Sequence, residues 1–212
     1  GGRVRVVLVE QSATFTFQPS LLWVMTGARR LARIQRPVSR LGRAGVEIVQ
    51  ATVTGLDLDG RRVETTAGPL AYDRLVLALG AELVPQAVPG FAEASLSFYT
   101  PGGAEAVRDA LVAFSGGSLA ILIGGAPFKC PAAPYEAALL ADDLLRRRGV
   151  RDRTDLTIYT PEPYPMPTAG EPVGRALQAL VESRGIRLHT GHQVTQVDPV
   201  RRRLAFVNGA SA

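Results

Sequence analysis

The feature that most constrains the fold is a strand, a glycine turn and a helix in direct succession near the middle of the chain. Residues 119–123 form a continuous apolar run, two glycines follow at once, and a segment rich in alanine and leucine has helical spacing over residues 131–148. A continuous apolar run is typical of a strand that is buried on both faces of a parallel sheet. The succession therefore predicts an α/β unit.

The flanking sequence continues this alternation of strands and helices. After the central unit, one helix is predicted over residues 172–184, and strands are predicted over residues 156–160, 186–189, 193–197 and 203–207. Before it, helices are predicted over residues 31–45 and 103–114, and strands over residues 4–9, 46–54, 62–66 and 75–79. Such alternation is typical of a doubly wound, mostly parallel sheet.

A Ser-Gly-Gly segment at residues 115–117 divides the chain into two similar halves. We predict two Rossmann-like α/β domains, residues 1–115 and residues 116–212. The sequence begins and stops close to a predicted strand at each end, so we expect both domains to be incomplete.

Composition and charge exclude several classes of protein. With 212 residues, 46% of them hydrophobic, the chain can bury a sizeable core. Its net charge of +5 comes from scattered arginines, and no basic run alternates with aromatic residues, which argues against nucleic-acid binding. There is no signal peptide pattern and no apolar run near the roughly 20 residues of a membrane span, so we expect a cytoplasmic protein or one peripheral to a membrane. No metal site is predicted.

The only cysteine, Cys130, lies in the glycine turn, and it excludes an internal disulfide. Pro131 suits the first position of a helix, which makes Cys130 the predicted N-cap. There the helix dipole and the neighbouring Lys129 would favour a thiolate, the nucleophilic form of cysteine. The alternative is a lone cysteine that packs as a small hydrophobe.

The turn is unsuited to a nicotinamide nucleotide. Phe128, Lys129, Pro131 and Pro134 crowd the space where a pyrophosphate would cross the helix start, and no G-x-G-x-x-G spacing follows residue 123. This argues against ordinary NAD(P)H binding in the second half. Glu136 could act as an acid or base near the thiol, or it could be a solvated helix residue.

Four stretches of the sequence resemble one superfamily, and one of them resembles a particular family within it. The segment GAPFKCPAAPYE, residues 125–136, resembles the active-site segment of sulfide:quinone oxidoreductases and flavocytochrome c sulfide dehydrogenases, which are flavoproteins of the disulfide-reductase superfamily. The stretches VVLVEQSATFTFQPSLLWVMTG, VTGLDLDGRRVET and YDRLVLALGA resemble that superfamily's FAD-binding half. The resemblance implies two domains of the FAD/NAD(P)-binding type.

FAD is the cofactor that the resemblance implies. Carried over residue by residue, Glu10 would bind the adenosine ribose, since an acid at the end of the second strand of a dinucleotide domain accepts ribose hydroxyls. The backbone of Val53 would meet the adenine, Pro19 would lie near the isoalloxazine ring, and Gly80 would belong to a turn that lines the cofactor. The first glycine-rich FAD turn would lie upstream of residue 1, so we expect these residues alone to bind FAD weakly or not at all.

The resemblance also implies the reaction. Cys130 would be the redox cysteine that faces the flavin and attacks or carries sulfide sulfur, and Glu136 would handle protons beside it. Electrons would pass to a quinone or another acceptor, and segments outside this sequence could attach the protein to a membrane surface. Some members carry a histidine where this chain has Met166 and Pro167, which leaves the acceptor open. The alternatives are a flavin oxidoreductase with a different donor and an inactive FAD-domain fragment.

Overall fold

The structure, a computed structural model, describes residues 4–212. These residues form two compact units: residues 4–18 with residues 31–80, and residues 19–30 with residues 81–212. The division differs from the predicted boundary at residue 115, because residues 19–30 and 81–115 pack with the second unit. That one domain binds the cofactor and the other carries the redox cysteine stays a prediction. Residues 1–3 of the predicted first domain lie outside the described residues.

The first unit contains three small sheets. Strand β1 pairs in parallel with β4, β2 pairs antiparallel with β3, and β5, β6 and β7 form an antiparallel meander. Their bounds are β1 Val7–Glu10, β2 Thr14–Thr16, β3 Gln35–Pro37, β4 Glu47–Gln50, β5 Val53–Asp57, β6 Arg62–Thr65 and β7 Leu70–Ala71. The single strand predicted over residues 46–54 is wrong, because the chain turns between β4 and β5 and enters a different sheet.

Two other predictions for this unit are wrong. The helix predicted over residues 31–45 is replaced by two 3₁₀ turns, Leu31–Arg33 and Val38–Ala44, on either side of β3. Pro37 is extended there, with φ −60° and ψ 131°, and proline lacks the N–H that a continuing helix needs. Residues 75–79 form no strand, because no described strand pairs with their backbone, and Val76 and Leu79 are largely exposed.

The second unit is built on the predicted central succession. Strands β8 Gly117–Leu122, β9 Thr154–Tyr159 and β10 Arg187–His189 form a parallel sheet in the order β10-β9-β8. Helix α4 Ala133–Arg147 connects β8 to β9, and helix α5 Glu171–Ser183 connects β9 to β10. This is a Rossmann-type arrangement, and its bounds agree with the predicted ones to within two residues.

Further helices and strands belong to this unit. They are helices α1 Leu21–Met25, α2 Phe91–Ala94 and α3 Pro101–Ala113, and the antiparallel strands β11 Val194–Asp198 and β12 Arg203–Phe206. The core lies between the parallel sheet and helices α4 and α5, and its buried members are Ile123, Tyr135, Ala138, Leu156, Ile158, Val181 and Ile186. Each large aliphatic side chain buried there stabilises the fold by about 1.5–3 kcal/mol.

Gly174 in α5 is expected to resist substitution. A Cβ at this position would lie 2.4 Å from the carbonyl oxygen of Pro165 and 2.6 Å from the ring of Tyr164. Glycine to alanine inside a helix normally stabilises by about 1 kcal/mol, but here the overlap should make Gly174→Ala destabilising by about 1–3 kcal/mol. Chemical denaturation measures the difference. Gly102→Ala in α3 is the control, since nothing lies within 4 Å of its Cβ position; equal effects of the two changes would contradict the argument.

Candidate active site around Cys130

Cys130 lies in the loop that joins β8 to α4. Its side chain is exposed and its thiol is free, and its backbone is left-handed with φ +49°. Its carbonyl oxygen accepts a hydrogen bond of 3.0 Å from the N–H of Ala133, and the N-cap of α4 is Ala132. The prediction that Cys130 is the N-cap is therefore wrong. A left-handed residue cannot join the helix, so residues 130–133 form a separate turn and the helix begins at Ala133.

Lys129 lies in this loop, Glu136 follows it in α4, and Tyr99 comes from a distant part of the chain. The ammonium group of Lys129 donates a 3.4 Å hydrogen bond to the carbonyl oxygen of Ala81. Glu136 is exposed in the first turn of α4. Tyr99, which sequence reasoning missed, has a buried phenol oxygen with no hydrogen-bond partner among the described residues. Burial, and secondarily the charge of Cys130, raise the pKa of Tyr99 well above its usual range.

A buried carboxylate lies at the same end of the sheet. Glu162 follows β9 and is only 8% exposed. Its Oε2 accepts a 2.7 Å hydrogen bond from the hydroxyl of Tyr135 and a 3.2 Å bond from the hydroxyl of Thr160. Burial and the bond to Glu162 raise the pKa of Tyr135 well above its usual range. Sequence reasoning missed Glu162, although an acid just after the second strand of an α/β unit was a usable signal.

The glycine turn after β8 is covered by the chain itself. A Cβ at Gly124 would lie 3.3 Å from the ring of Phe91, and the carbonyl oxygen of Gly124 accepts a 2.8 Å hydrogen bond from the side-chain amide of Gln193. Besides Phe128 and the prolines, residues that are distant in sequence thus also crowd this turn.

The two histidines belong to an aromatic cluster. His189 stacks on Tyr159 with 5.0 Å between ring centroids, and His192 meets Phe206 edge-on at 5.0 Å. Burial, followed by the charge of His192, lowers the pKa of His189. Packing accounts for both side chains.

The residues predicted to bind FAD are distributed over both units. Glu10, Val53 and Gly80 belong to the first unit, and Pro19 belongs to the second. Glu10 ends β1, a parallel strand, and its Oε1 accepts a 2.8 Å hydrogen bond from the N–H of Ser12. A carboxylate held at the carboxyl end of a parallel strand fits the ribose of an adenine nucleotide. The roles of these four residues, and those of Cys130 and Glu136, stay predictions.

The described residues, 4–212, also form a cavity. A cavity of about 670 Å³ lies against the polar face of the parallel sheet, between Ser118, Thr157 and Arg187 on one side and Asp198 and Arg202 on the other. Cys130 is not among its lining residues. Within the same range, no cluster of acidic, histidine or cysteine side chains is arranged to hold a metal ion, and none of the helices has the length and apolar character of a membrane span.

Comparison with known proteins agrees with this architecture. The family model for pyridine nucleotide-disulphide oxidoreductases matches residues 2–210. A NADH dehydrogenase-like protein of Mycobacterium tuberculosis is 34% identical over 174 residues, which is 75% of this chain and 41% of the relative. Mitochondrial sulfide:quinone oxidoreductase of Mus musculus is 25% identical over 218 residues, which is 97% of this chain and 46% of the relative.

Among solved structures, the sulfide:quinone oxidoreductase of Aquifex aeolicus superposes with a TM-score of 0.83 at 25% identity, and the match covers 98% of this chain and 50% of that structure. The chain thus spans about half the length of the relatives that it matches. The resemblance found in the sequence is confirmed at the level of family and fold.

Proposed function

The chain belongs to the pyridine nucleotide-disulphide oxidoreductase family, whose members are FAD flavoproteins, and from this we propose that the protein oxidises sulfide at Cys130 and passes the electrons through FAD to a quinone. The observation that carries the proposal is an exposed, free thiol on the β8–α4 loop, within a segment that resembles the active-site segment of sulfide:quinone oxidoreductases. The similarity to sulfide:quinone oxidoreductases over nearly the whole chain supports it.

The proposed sulfur step balances as a two-electron oxidation. The Cys130 thiolate and HS⁻ form an S–S bond, the S–H bond of HS⁻ breaks, and the products are a Cys130 persulfide anion, one proton and two electrons. A quinone takes up two electrons and two protons to become a quinol. FAD supplies a two-electron relay between the sulfur and the quinone.

The residues of the chain have separate roles in this proposal. Cys130 is exposed and can meet a small anion from solvent, and the positive charge of Lys129 beside it attracts HS⁻. The carboxylate of Glu136, exposed on the first turn of α4, accepts the proton that HS⁻ releases. Glu10, at the end of β1, would hold the adenosine ribose of FAD, with the backbone of Val53 and Gly80 and the ring of Pro19 along the rest of the cofactor.

The proposed quinone acceptor determines where the reaction takes place. Several relatives are named as quinone reductases, including the demethylphylloquinone reductase of Synechocystis, and this supports a quinone acceptor. Because respiratory quinones dissolve in the bilayer, the proposed reaction takes place where the protein meets a membrane surface.

One observation favours a second candidate, a NADH:quinone oxidoreductase. The relative with 34% identity is named as NADH dehydrogenase-like. The crowded turn around Phe128 and the covered glycine Gly124 argue against this donor.

A comparison of electron donors tests the proposal. In anaerobic stopped-flow mixing of the FAD-loaded full-length protein, sulfide is expected to bleach the visible flavin band rapidly, and a short-chain quinone should then restore it. NADH should bleach the band slowly or not at all. Dithionite gives the end point of full reduction, and sodium chloride serves as the blank. Rapid bleaching by NADH together with none by sulfide would replace the proposed function with the second candidate.

A further inference from the structure

The second unit contains two buried carboxylates with opposite surroundings. Asp142 is paired with three arginines, whereas Glu162 makes no ion pair with any described residue. The partners of the Glu162 carboxylate are hydroxyl groups, those of Tyr135 and Thr160. Hydroxyl donors on a carboxylate at a strand end resemble the way in which such an acid receives a ribose.

The position of Glu162 in the fold strengthens this comparison. It lies two residues after the buried Thr160, at the carboxyl end of β9, which is the second strand of a parallel βαβ unit. In dinucleotide-binding folds, an acid at the end of the second strand accepts a hydrogen bond from the ribose. Here the donor is the chain's own Tyr135, the third residue of α4, which is 1% exposed.

The pyrophosphate position of such a fold is also filled from within. Space beside a glycine in the first turn is normally left for the pyrophosphate. The ring of Phe91 occupies the space beside Gly124, and Gln193 binds the carbonyl oxygen of Gly124. The ring of Phe91 therefore stands beside the turn that a pyrophosphate would approach, and the carboxylate that would accept the ribose hydroxyls is bound by Tyr135.

The hydrogen bond between Tyr135 and Glu162 joins the cysteine loop to the sheet. Tyr135 lies in the first turn of α4, five residues after Cys130, and the carbonyl oxygen of Cys130 accepts a hydrogen bond from Ala133 in that turn. The 2.7 Å bond from Tyr135 to Glu162 thus holds the start of α4, and with it the end of the cysteine loop, against the residues that follow β9.

We propose that Tyr135 converts Glu162 from a nucleotide ligand into an internal anchor, so that the pair positions the Cys130 loop and excludes nicotinamide dinucleotides from the second unit. Tyr135 and Glu162 are positioning residues, since they act through the loop. Their effect on sulfide oxidation rests on the proposed function, whereas the order of the loop and the exclusion of nucleotide do not.

Hydrogen–deuterium exchange and nucleotide binding test the inference on the FAD-loaded full-length protein. In Tyr135→Phe and Glu162→Gln, amides of residues 124–136 should exchange at least about tenfold faster, while those of β8 and β9 keep their rates. Equilibrium titration with NADH should detect no binding to the unaltered protein or to Glu162→Gln at millimolar concentration. Tyr164→Phe, two residues beyond Glu162, is the matched control and should change neither readout.

A kinetic readout follows if sulfide is the donor. Both variants should lower kcat for sulfide-dependent quinone reduction about tenfold, because a misplaced reacting group costs rate, and should leave KM within about twofold. Unchanged exchange in residues 124–136 of Tyr135→Phe would overturn the anchor. NADH binding to the unaltered protein at millimolar concentration would overturn the exclusion, and a tenfold loss of that binding in Glu162→Gln would assign it to this site. If sulfide does not reduce the flavin of the unaltered protein, the proposed function fails, but the exchange and binding measurements still decide this inference. If Glu162→Gln does not fold, hydrogen exchange in Tyr135→Phe decides the anchor. NADH binding to the unaltered protein then decides the exclusion.

Discussion

Replacing Cys130 with serine is expected to slow sulfide-driven flavin reduction by at least about 10³-fold. Serine keeps the size and exposure of the side chain but cannot form an S–S bond with sulfide, and loss of the attacking atom removes the covalent step as a whole. Single-turnover bleaching of the flavin under anaerobic conditions measures the rate. FAD content and the reduction of the flavin by dithionite should be unchanged, since the thiol is exposed and free.

Cys130→Ala provides the matching control for chemistry. It should be as slow as the serine variant, because neither side chain offers a thiolate. Bleaching at the unaltered rate in both variants would remove Cys130 from the reaction, and a fast serine variant beside a slow alanine variant would point to a structural effect at this left-handed position.

Replacing Asp142 with asparagine is expected to destabilise the protein by about 3 kcal/mol, since breaking a buried ion pair leaves charges without a partner. Asp142 is fully buried in α4, and its carboxylate accepts hydrogen bonds of 2.9 Å from Arg146, 2.5 Å from Arg151 and 3.0 Å from Arg184. Arg151 is 11% exposed and should account for most of the effect, because water screens the two more exposed arginines. Urea denaturation at neutral pH measures the loss.

The same site predicts a pH dependence. Burial alone would raise the pKa of Asp142, but hydrogen bonds from Arg146, Arg151 and Arg184 outweigh it and hold the pKa below its ordinary value. Because the folded pKa is lower than the unfolded one, the stabilisation is complete above the unfolded pKa of about 3.9 and disappears as the pH falls through the folded pKa. The stability difference between the unaltered protein and Asp142→Asn should therefore shrink below about pH 4.

Asp143→Asn is the control for this prediction. Asp143 is the next residue of α4 and pairs with Arg147, but both members of this pair are exposed, so its removal should cost at most about 0.5 kcal/mol. Equal losses in the two variants would show that burial and the three arginines do not distinguish Asp142.

The parts of the fold that sequence reasoning predicted well are those with strong local patterns. The apolar run before Gly124 and the helical spacing after it locate β8 and α4. A strand that is buried on both faces has a continuous apolar run, whereas a helix that is buried on one face repeats its apolar residues with helical spacing. Residues 31–45 and 75–79 were predicted wrongly for two different reasons. Pro37 interrupts the first segment, and the second has a strand composition but no described strand beside it, which composition cannot reveal.

For the candidate site too, local patterns were predicted from the sequence and long-range contacts were not. The sequence by itself determined the family, the α/β alternation and the position of a single thiol in a crowded turn, because these depend on residue type and short spacing. Only the tertiary structure decided that α4 begins after Cys130, that Phe91 covers Gly124, and that Tyr135 binds Glu162 across 27 residues of chain. Those contacts join residues far apart in sequence, and they form only when the sheet and the helix pack and bury the groups that must then find partners.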